Sequence, residues 1–579
     1  MSQKQSTDVI ASGANLIARS LKNQGVKVVF GIVGIPVVEV AEACVSSGIQ
    51  FIGFRNEQSA AYAASAYGYL SGRPGVCLTV GGPGVIHALA GVFNSKLNCW
   101  PLILLSGSSE TDQVDKGAFQ ELDQVEATRP YCKYSARPAS LEQLPLVMEK
   151  AFRTAMYGRP GACYVDLPAD FIQYPIRNKQ LYHSLLDDVK QVPDAPQSLA
   201  SPSNIEKAVK LLKSAKNPLI VIGKGAAYAR AETEIRKLID ETQVPFLPTP
   251  MGKGVVSDHH PLCVAAARSK ALKEADIVLL IGARLNWILH YGHPPRWNKH
   301  VRFIQIDIAA EEIGNNVQDT LPLVGDIQSV VTQLTSALEH QPLPSISSTY
   351  LSSLKNKVKQ NVEKLKLMGE KGTDTSVLNY QTAFTTIKNI LPEDGIVYIG
   401  EGANTMDIGR SYFDVSQPRH RLDAGTGATM GVGMGYAIGA QAYYGLDNKR
   451  VVSIVGDSAF GFSAMELETA VRSNLPLLII VINNNGIYHG LEPSEYESSL
   501  KKGDLPTTAL TPETRYDMIS EACGGKGWLV KNKAELSKAL REALIQEKDK
   551  TCVINVMIAP GGRQTLKFNW MQKSEKAKL

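Results

Sequence analysis

GDSAFGFSAMELETAVRSNLPLLIIVINNNGIY, from Gly456 to Tyr488, is the stretch from which the architecture can be read. An apolar run, RVVSIVGD from Arg450, leads into it and ends at Val455. A Gly-Asp-Ser turn follows, the pattern predicts a helix from about Ala464, and a second apolar run ends at Ile482 in Asn483, Asn484, Asn485 and Gly486. Two buried parallel strands joined by a helix bring both their carboxyl ends to one edge of a sheet, where open α/β folds bind ligands. At that edge Asp457 and Asn484, 27 positions apart, offer hard oxygens, and a glycine carbonyl at Gly486 leaves room for close approach. Such a set suits Mg²⁺, with the remaining positions left to phosphate and water. The same residues would also serve as a helix cap and a turn.

Outward from this segment the same texture recurs. GVCLTV from Gly75, PLILLS from Pro101, PLIVIG from Pro218, DIVLLIG from Asp276 and PLLIIVIN from Pro476 are short continuous apolar runs between helix-length amphipathic stretches. Continuous rather than alternating runs predict strands covered on both faces, hence an α/β fold of mostly parallel sheets flanked by helices. Pro/Ser-rich breaks at Gln191–Asn204 and Glu339–Ser348 divide the chain into three such domains, 1–190, 204–340 and 372–560, followed by a tail, 561–579. The Lys-rich stretch Lys355–Lys371 has the spacing of a solvated helix.

A length of 579 residues excludes a small binding module, and 44% apolar with 20% charged residues excludes a disordered or fibrous chain. A net charge of +5 on this length points to neither a nucleic-acid nor a membrane role. Eight cysteines without a CxxC pair read as reduced, mostly buried thiols. The amino terminus lacks the features of a secretory signal, and the apolar runs are too short to span a bilayer, so a soluble intracellular protein is expected. Ala577-Lys578-Leu579 is a conservative variant of the Ser-Lys-Leu peroxisomal address, which implies an import receptor as partner; without that import the protein would be cytoplasmic.

The Gly456–Tyr488 segment resembles the thiamine-diphosphate motif, Gly-Asp-Gly followed at a fixed interval by Asn-Asn, of the decarboxylase and acetolactate synthase superfamily, with Ser458 in the third position. Along nearly its full length the chain looks like oxalyl-CoA decarboxylases and 2-hydroxyacyl-CoA lyases. The resemblance implies a pyrimidine-binding first domain, a nucleotide-binding-like second domain and a third that holds diphosphate and Mg²⁺ through Asp457, Asn484 and Gly486. Further cofactor contacts would come from Asn404 in EGANTMDIGR, Ser458, Ala459, Ile487 and Tyr488, with Met430 wedging thiamine into its bent form. In FRNEQSAAYAASAYGYLSG, Glu57 opens an Ala-rich helix after a short strand and matches the family's glutamate against the pyrimidine ring nitrogen. GGPGVIHALAGVFNSK from Gly81 supplies the glycine turn that the family places beside it.

The middle unit, with GKGAAYA from Gly223 and IGARLNW from Ile281, resembles the domain that binds ADP as a regulator in oxalyl-CoA decarboxylase. That places Arg159, Lys224, Asp307 and Asp326 at a nucleotide pocket, with Arg268 and Arg563 as further nucleotide or CoA contacts; a purely structural central domain fits the glycine pattern equally. The loop KGAFQELDQVEA from Lys116 carries Phe119, Gln120 and Glu121 as catalytic candidates. Oxalyl-CoA decarboxylases have a Tyr-Glu pair at Phe119 and Gln120, so the loop favours a 2-hydroxyacyl-CoA lyase giving formyl-CoA and an aldehyde. An oxalyl-CoA decarboxylase giving formyl-CoA and carbon dioxide is the alternative, and an acetolactate-synthase-like enzyme or an inactive binding protein stands further off. The family's assembly implies a homodimer or homotetramer with active sites between subunits.

Overall fold

Each continuous apolar run becomes a parallel strand covered on both faces. In the first sheet the alternation is direct: Phe30, Cys77, Leu104 and Tyr164 pack into one core and Val29, Leu78, Ile103 and Val165 into another on the opposite face. The structure, a computed structural model, describes residues 9–187, 190–445 and 449–561.

The first sheet contains β1 (Val28–Gly31), β2 (Gln50–Gly53), β3 (Gly75–Thr79), β4 (Leu102–Ser108), β5 (Tyr134–Ala136) and β6 (Ala162–Pro168), in the order β2-β1-β3-β4-β6-β5. The second contains β7 (Pro218–Ile222), β8 (Phe246–Pro248), β9 (Ile277–Ile281), β10 (Arg302–Asp307) and β11 (Thr320–Val324), in the order β8-β7-β9-β10-β11. The third contains β12 (Ile396–Glu401), β13 (Arg421–Asp423), β14 (Arg450–Gly456), β15 (Leu478–Asn483), β16 (Lys526–Val530) and β17 (Cys552–Met557). Its order is β13-β12-β14-β15-β17-β16, the same pattern of first to sixth strand as the first sheet. All pairings in these three sheets are parallel; an antiparallel pair joins Ala11–Ser12 to Pro175–Ile176.

The first and third sheets meet through helices α1 (Glu57–Ser71) and α4 (Gly433–Tyr444), between which lie, along the chain, α2 (Pro83–Asn98) and α3 (Ala403–Gly409). Two glycines let the α1 and α4 backbones touch. A Cβ at Gly439 would stand 2.4 Å from the Ala63 carbonyl oxygen and one at Gly435 2.7 Å from that of Ser59. Tyr62 and Tyr436 then pack edge to face across the same contact, 6.2 Å between ring centroids.

One expectation for the deciding segment needs correction. Instead of a turn and then a helix from Ala464, the chain enters a short helix, α5 (Asp457–Phe460), at the strand end, and the longer helix α6 begins at Glu466 and runs to Arg472. Gly461 caps α5, and Asp457, as its first residue, keeps its carboxylate beside freshly exposed N–H groups. The Lys-rich stretch lies largely on a helix, Ser348–Gly369, in which few side chains are buried. Among the described residues all eight cysteines are free, four buried and four partly so, and no helix is long and apolar enough to cross a membrane.

Candidate active site

In the third sheet, β12 and β14 are neighbours from which the chain runs outward in opposite directions, so their carboxyl ends flank a topological switch point. β14 delivers Asp457 there, 2% exposed. Its Oδ1 accepts from Ser458 N at 2.9 Å and its Oδ2 from Gly486 N at 3.1 Å, with the Asn484 backbone N–H also contributing. Burial outweighs these bonds and pushes the carboxyl up to about 6. A buried carboxylate neutralised only by backbone dipoles fits a hard divalent cation, which would supply the missing positive charge.

The three asparagines at the end of β15 divide their work. Asn483 donates to Asn555 Oδ1 at 3.2 Å, and Asn485 donates to the Leu491 carbonyl at 3.1 Å and accepts from Glu513 N at 2.9 Å, so both tie loops together. Asn484 donates its amide nitrogen to the Tyr488 carbonyl at 2.8 Å, which turns its side-chain oxygen the other way. Asn404, on α3, donates to that same carbonyl at 3.1 Å. Tyr488 itself has φ 70°, left-handed backbone that a bulky residue adopts only when held there. At Gly486 a Cβ would stand 2.6 Å from the His489 carbonyl oxygen, so no other residue fits this coil of chain. Ser458 is half-buried, Ala459 buried and Ile487 exposed around it.

Met430, half-buried, precedes a turn that opens α4. This turn is organised by a residue that sequence reasoning missed. Glu401, at the end of β12 and 1% exposed, accepts from Gly431 N, from Val432 N at 3.2 Å and from Gly433 N at 2.7 Å. Burial raises its carboxyl to about 7. An acid closing the apolar run IVYIGE was the available signal.

Glu57 is the first residue of α1, after Asn56, whose side chain caps the helix by accepting from Gln58 N at 2.8 Å. A second missed carboxylate underpins it. Glu466, on α6 and 1% exposed, accepts from Arg55 N at 3.3 Å and from Thr469 Oγ1 at 2.6 Å, and burial raises it to about 7. The segment after Asp457 thereby fixes the start of the helix that carries Glu57.

The loop after β4 shapes the flank of the first sheet. Glu121 accepts from Asp115 N at 2.5 Å, Gly117 N at 2.8 Å and Ala118 N at 2.9 Å, which lowers its carboxyl and closes the loop on itself. Phe119 stands 68% exposed and Gln120 has φ 54°. The Gln120 carbonyl oxygen packs so close to Gly82 that a Cβ there would stand 2.5 Å away.

A separate cavity of about 520 Å³ opens where the three sheets' units meet. Arg159, Lys224, Asp307 and Asp326 all line it, as do Arg284 and Thr426. Arg159 pairs with Glu312 at 2.8 Å and Asp307 at 3.5 Å. Lys224 donates to Asn98 Oδ1 at 2.6 Å and Thr426 Oγ1 at 3.0 Å, and desolvation with Arg284 nearby pushes its ammonium down to about 7. Asp326 also caps the helix Ile327–His340 through Ser329 N, 3.0 Å. Arg268 lies off this lining, 3.3 Å from His290 Nε2; burial, with Arg410 and Arg296 beside it, lowers its guanidinium to about 10. Arg563 and the Ala577-Lys578-Leu579 tripeptide lie outside the described residues.

This pairing of a metal-suited strand end with a carboxylate at a helix start, on two sheets of like order, matches a known class. Residues 11–127, 205–334 and 400–556 match, in turn, the N-terminal TPP binding domain, the central domain and the C-terminal TPP binding domain of thiamine pyrophosphate enzymes, TPP being thiamine diphosphate. The chain is 50% identical to 2-hydroxyacyl-CoA lyase 1 of Homo sapiens over 97% of both chains. It is 45% identical to 2-hydroxyacyl-CoA lyase of Saccharomyces cerevisiae, covering 96% of this chain and 98% of that one, and 41% identical to oxalyl-CoA decarboxylase of Escherichia coli over 96% of each. The chain belongs to the thiamine pyrophosphate enzymes, in the group of carbon–carbon lyases that holds these relatives.

Proposed function

We propose that this enzyme cleaves 2-hydroxyacyl-CoA to formyl-CoA and an aldehyde with thiamine diphosphate and Mg²⁺. The C1–C2 bond breaks, the 2-hydroxyl gives up its proton as the aldehyde forms, and a C–H bond forms on the thioester carbon. When bound, thiamine diphosphate supplies the nucleophilic carbon and the electron sink for that bond. Asp457, Asn484 and the Gly486 carbonyl would hold the cation that goes with the diphosphate, with Asn404, Ser458, Ala459, Ile487 and Tyr488 around it. Met430 would lie against the bound thiamine. Glu57 would set its carboxyl against the pyrimidine nitrogen. Arg268, with its neighbouring guanidinium groups, suits the phosphates of CoA, and the central cavity suits a nucleotide such as ADP.

The observation that carries the lyase reading is the state of the Lys116 loop. Glu121 is consumed by three backbone N–H groups, and next to it the loop exposes the ring of Phe119 beside an uncharged Gln120. A hydroxyl followed by apolar carbons suits such a surface, whereas a second carboxylate on the substrate would be desolvated without compensation. Incubating the protein with cofactor, Mg²⁺ and each acyl-CoA should yield formyl-CoA with aldehyde from the 2-hydroxyacyl-CoA faster than formyl-CoA with carbon dioxide from oxalyl-CoA. Phe119→Tyr with Gln120→Glu should then lower kcat/KM for the 2-hydroxyacyl-CoA more than for oxalyl-CoA. A wild-type preference for oxalyl-CoA would overturn the assignment; an unmoved ratio in the double variant would take the loop out of substrate selection.

A homodimer or homotetramer with sites between subunits is part of the same proposal. Ile86 and Phe93 on α2 and Phe462 and Met465 beyond Asp457 are large apolar side chains left 45–62% exposed, which a second copy would cover. Peroxisomal import through Ala577-Lys578-Leu579 completes it. Removing these three residues should leave the protein in the cytosol with its activity in extracts unchanged, as imaging of a tagged truncation would show.

A further inference from the structure

His87 belongs to no role so far described. It sits on the first turns of α2, just past the Gly81-Gly82 pair, and its Nδ1 lies 3.1 Å from Glu57 Oε2. The Glu57 side chain is 12% exposed and that of His87 59% exposed, so the imidazole covers the carboxyl from the open side. On the other flank the Gly84 backbone lies against the second oxygen: a Cβ added there would stand 3.7 Å from Glu57 Oε1 and 2.7 Å from Val80 Cγ2. One carboxyl oxygen is thus held by a ring on a rigid helix while the other lies beside a glycine of that same helix.

We propose that His87 is the positioning residue of Glu57. Its Nδ1–H donates to Oε2, which fixes the rotation of the carboxyl and leaves Oε1 to carry the proton shared with the cofactor's pyrimidine nitrogen. A glutamate has three rotatable bonds, and one oriented hydrogen bond from a helix-borne ring removes most of that freedom before the cofactor arrives. The inference rests on the reading of Glu57 as the cofactor's carboxylate.

Four variants of the holoenzyme test it: His87→Leu, His87→Asn, whose amide nitrogen takes the place of Nδ1, Glu57→Gln, and His87→Leu combined with Glu57→Gln. His87→Leu should lower kcat about 10–100-fold, the range seen when an orienting outer partner is lost, with KM for the acyl-CoA unchanged. His87→Asn should recover turnover to within about threefold of wild type. The near-UV circular dichroism of bound thiamine diphosphate, which reports the state of its aminopyrimidine, should change in the leucine variant and return in the asparagine one. On the Glu57→Gln background the leucine substitution should cost nothing further, because a residue that acts through another has nothing left to act on. Wild-type turnover in His87→Leu, an asparagine variant as slow as the leucine one, or a loss that adds in full on Glu57→Gln would each overturn the proposal. A fully active Glu57→Gln would instead strike the reading of Glu57 first, and this inference with it.

Discussion

Glu57→Gln should abolish most turnover while leaving Mg²⁺ affinity largely intact. The carboxyl stands on α1, whereas the candidate cation ligands end β14 and β15, so the substitution touches proton placement and leaves the metal alone. Proton transfer by a positioned side chain commonly contributes about 10²–10⁴-fold, and a loss of that size is expected in kcat at saturating cofactor. The amide keeps the shape and a hydrogen-bonding oxygen at the start of the helix, so the fold should persist, as an unchanged melting temperature would show. Turnover near wild type would remove Glu57 from the mechanism.

Asp457→Ala should act one step earlier, on cofactor binding itself. It removes the proposed anionic ligand of the cofactor's cation, and the expected loss of cofactor affinity exceeds the roughly 10–100-fold that an outer-shell substitution costs. Excess Mg²⁺ should restore only part of it. The alanine also strips the acceptor from Ser458 N and Gly486 N, each worth about 1–3 kcal/mol when left unsatisfied in a buried place. Asp457→Asn separates the two effects, since it keeps an oxygen in place and removes the charge. Cofactor affinity unchanged in calorimetric titrations of both variants would mean that the strand end does not hold a metal.

Much of this was legible in the sequence because its signals are local. Continuous apolar runs announce parallel strands, and polar residues just past their ends mark the sheet edge, which is where Asp457 and Asn484 stand. The residues that escaped notice act over long distances in the chain. Glu401 is tied to Gly431 thirty positions later, and Glu466 reaches back 411 positions to Arg55. A carboxylate that bonds to backbone N–H groups leaves no partner residue type to recognise. The two-helix form of Asp457–Arg472 escaped for a different reason: Gly461 interrupts the helix without disturbing the apolar pattern that its flanks share. His87 reads as a lone polar residue among the apolar first turns of an amphipathic helix, and only the fold brings Glu57 to it.

The common strand order of the first and third sheets bears on the protein's ancestry. α1 lies between the second and third strands of its sheet, and α4 lies between the second and third strands of the other, so the glycine-tight contact joins topologically equivalent helices. A single unit that once paired with itself, then became fused to its own copy with the central unit inserted between, is enough to account for this. After the fusion each half was free to diverge beyond its strand ends, where one now carries Glu57 and the other Asp457. A working pair of unlike halves would then have been inherited as one gene.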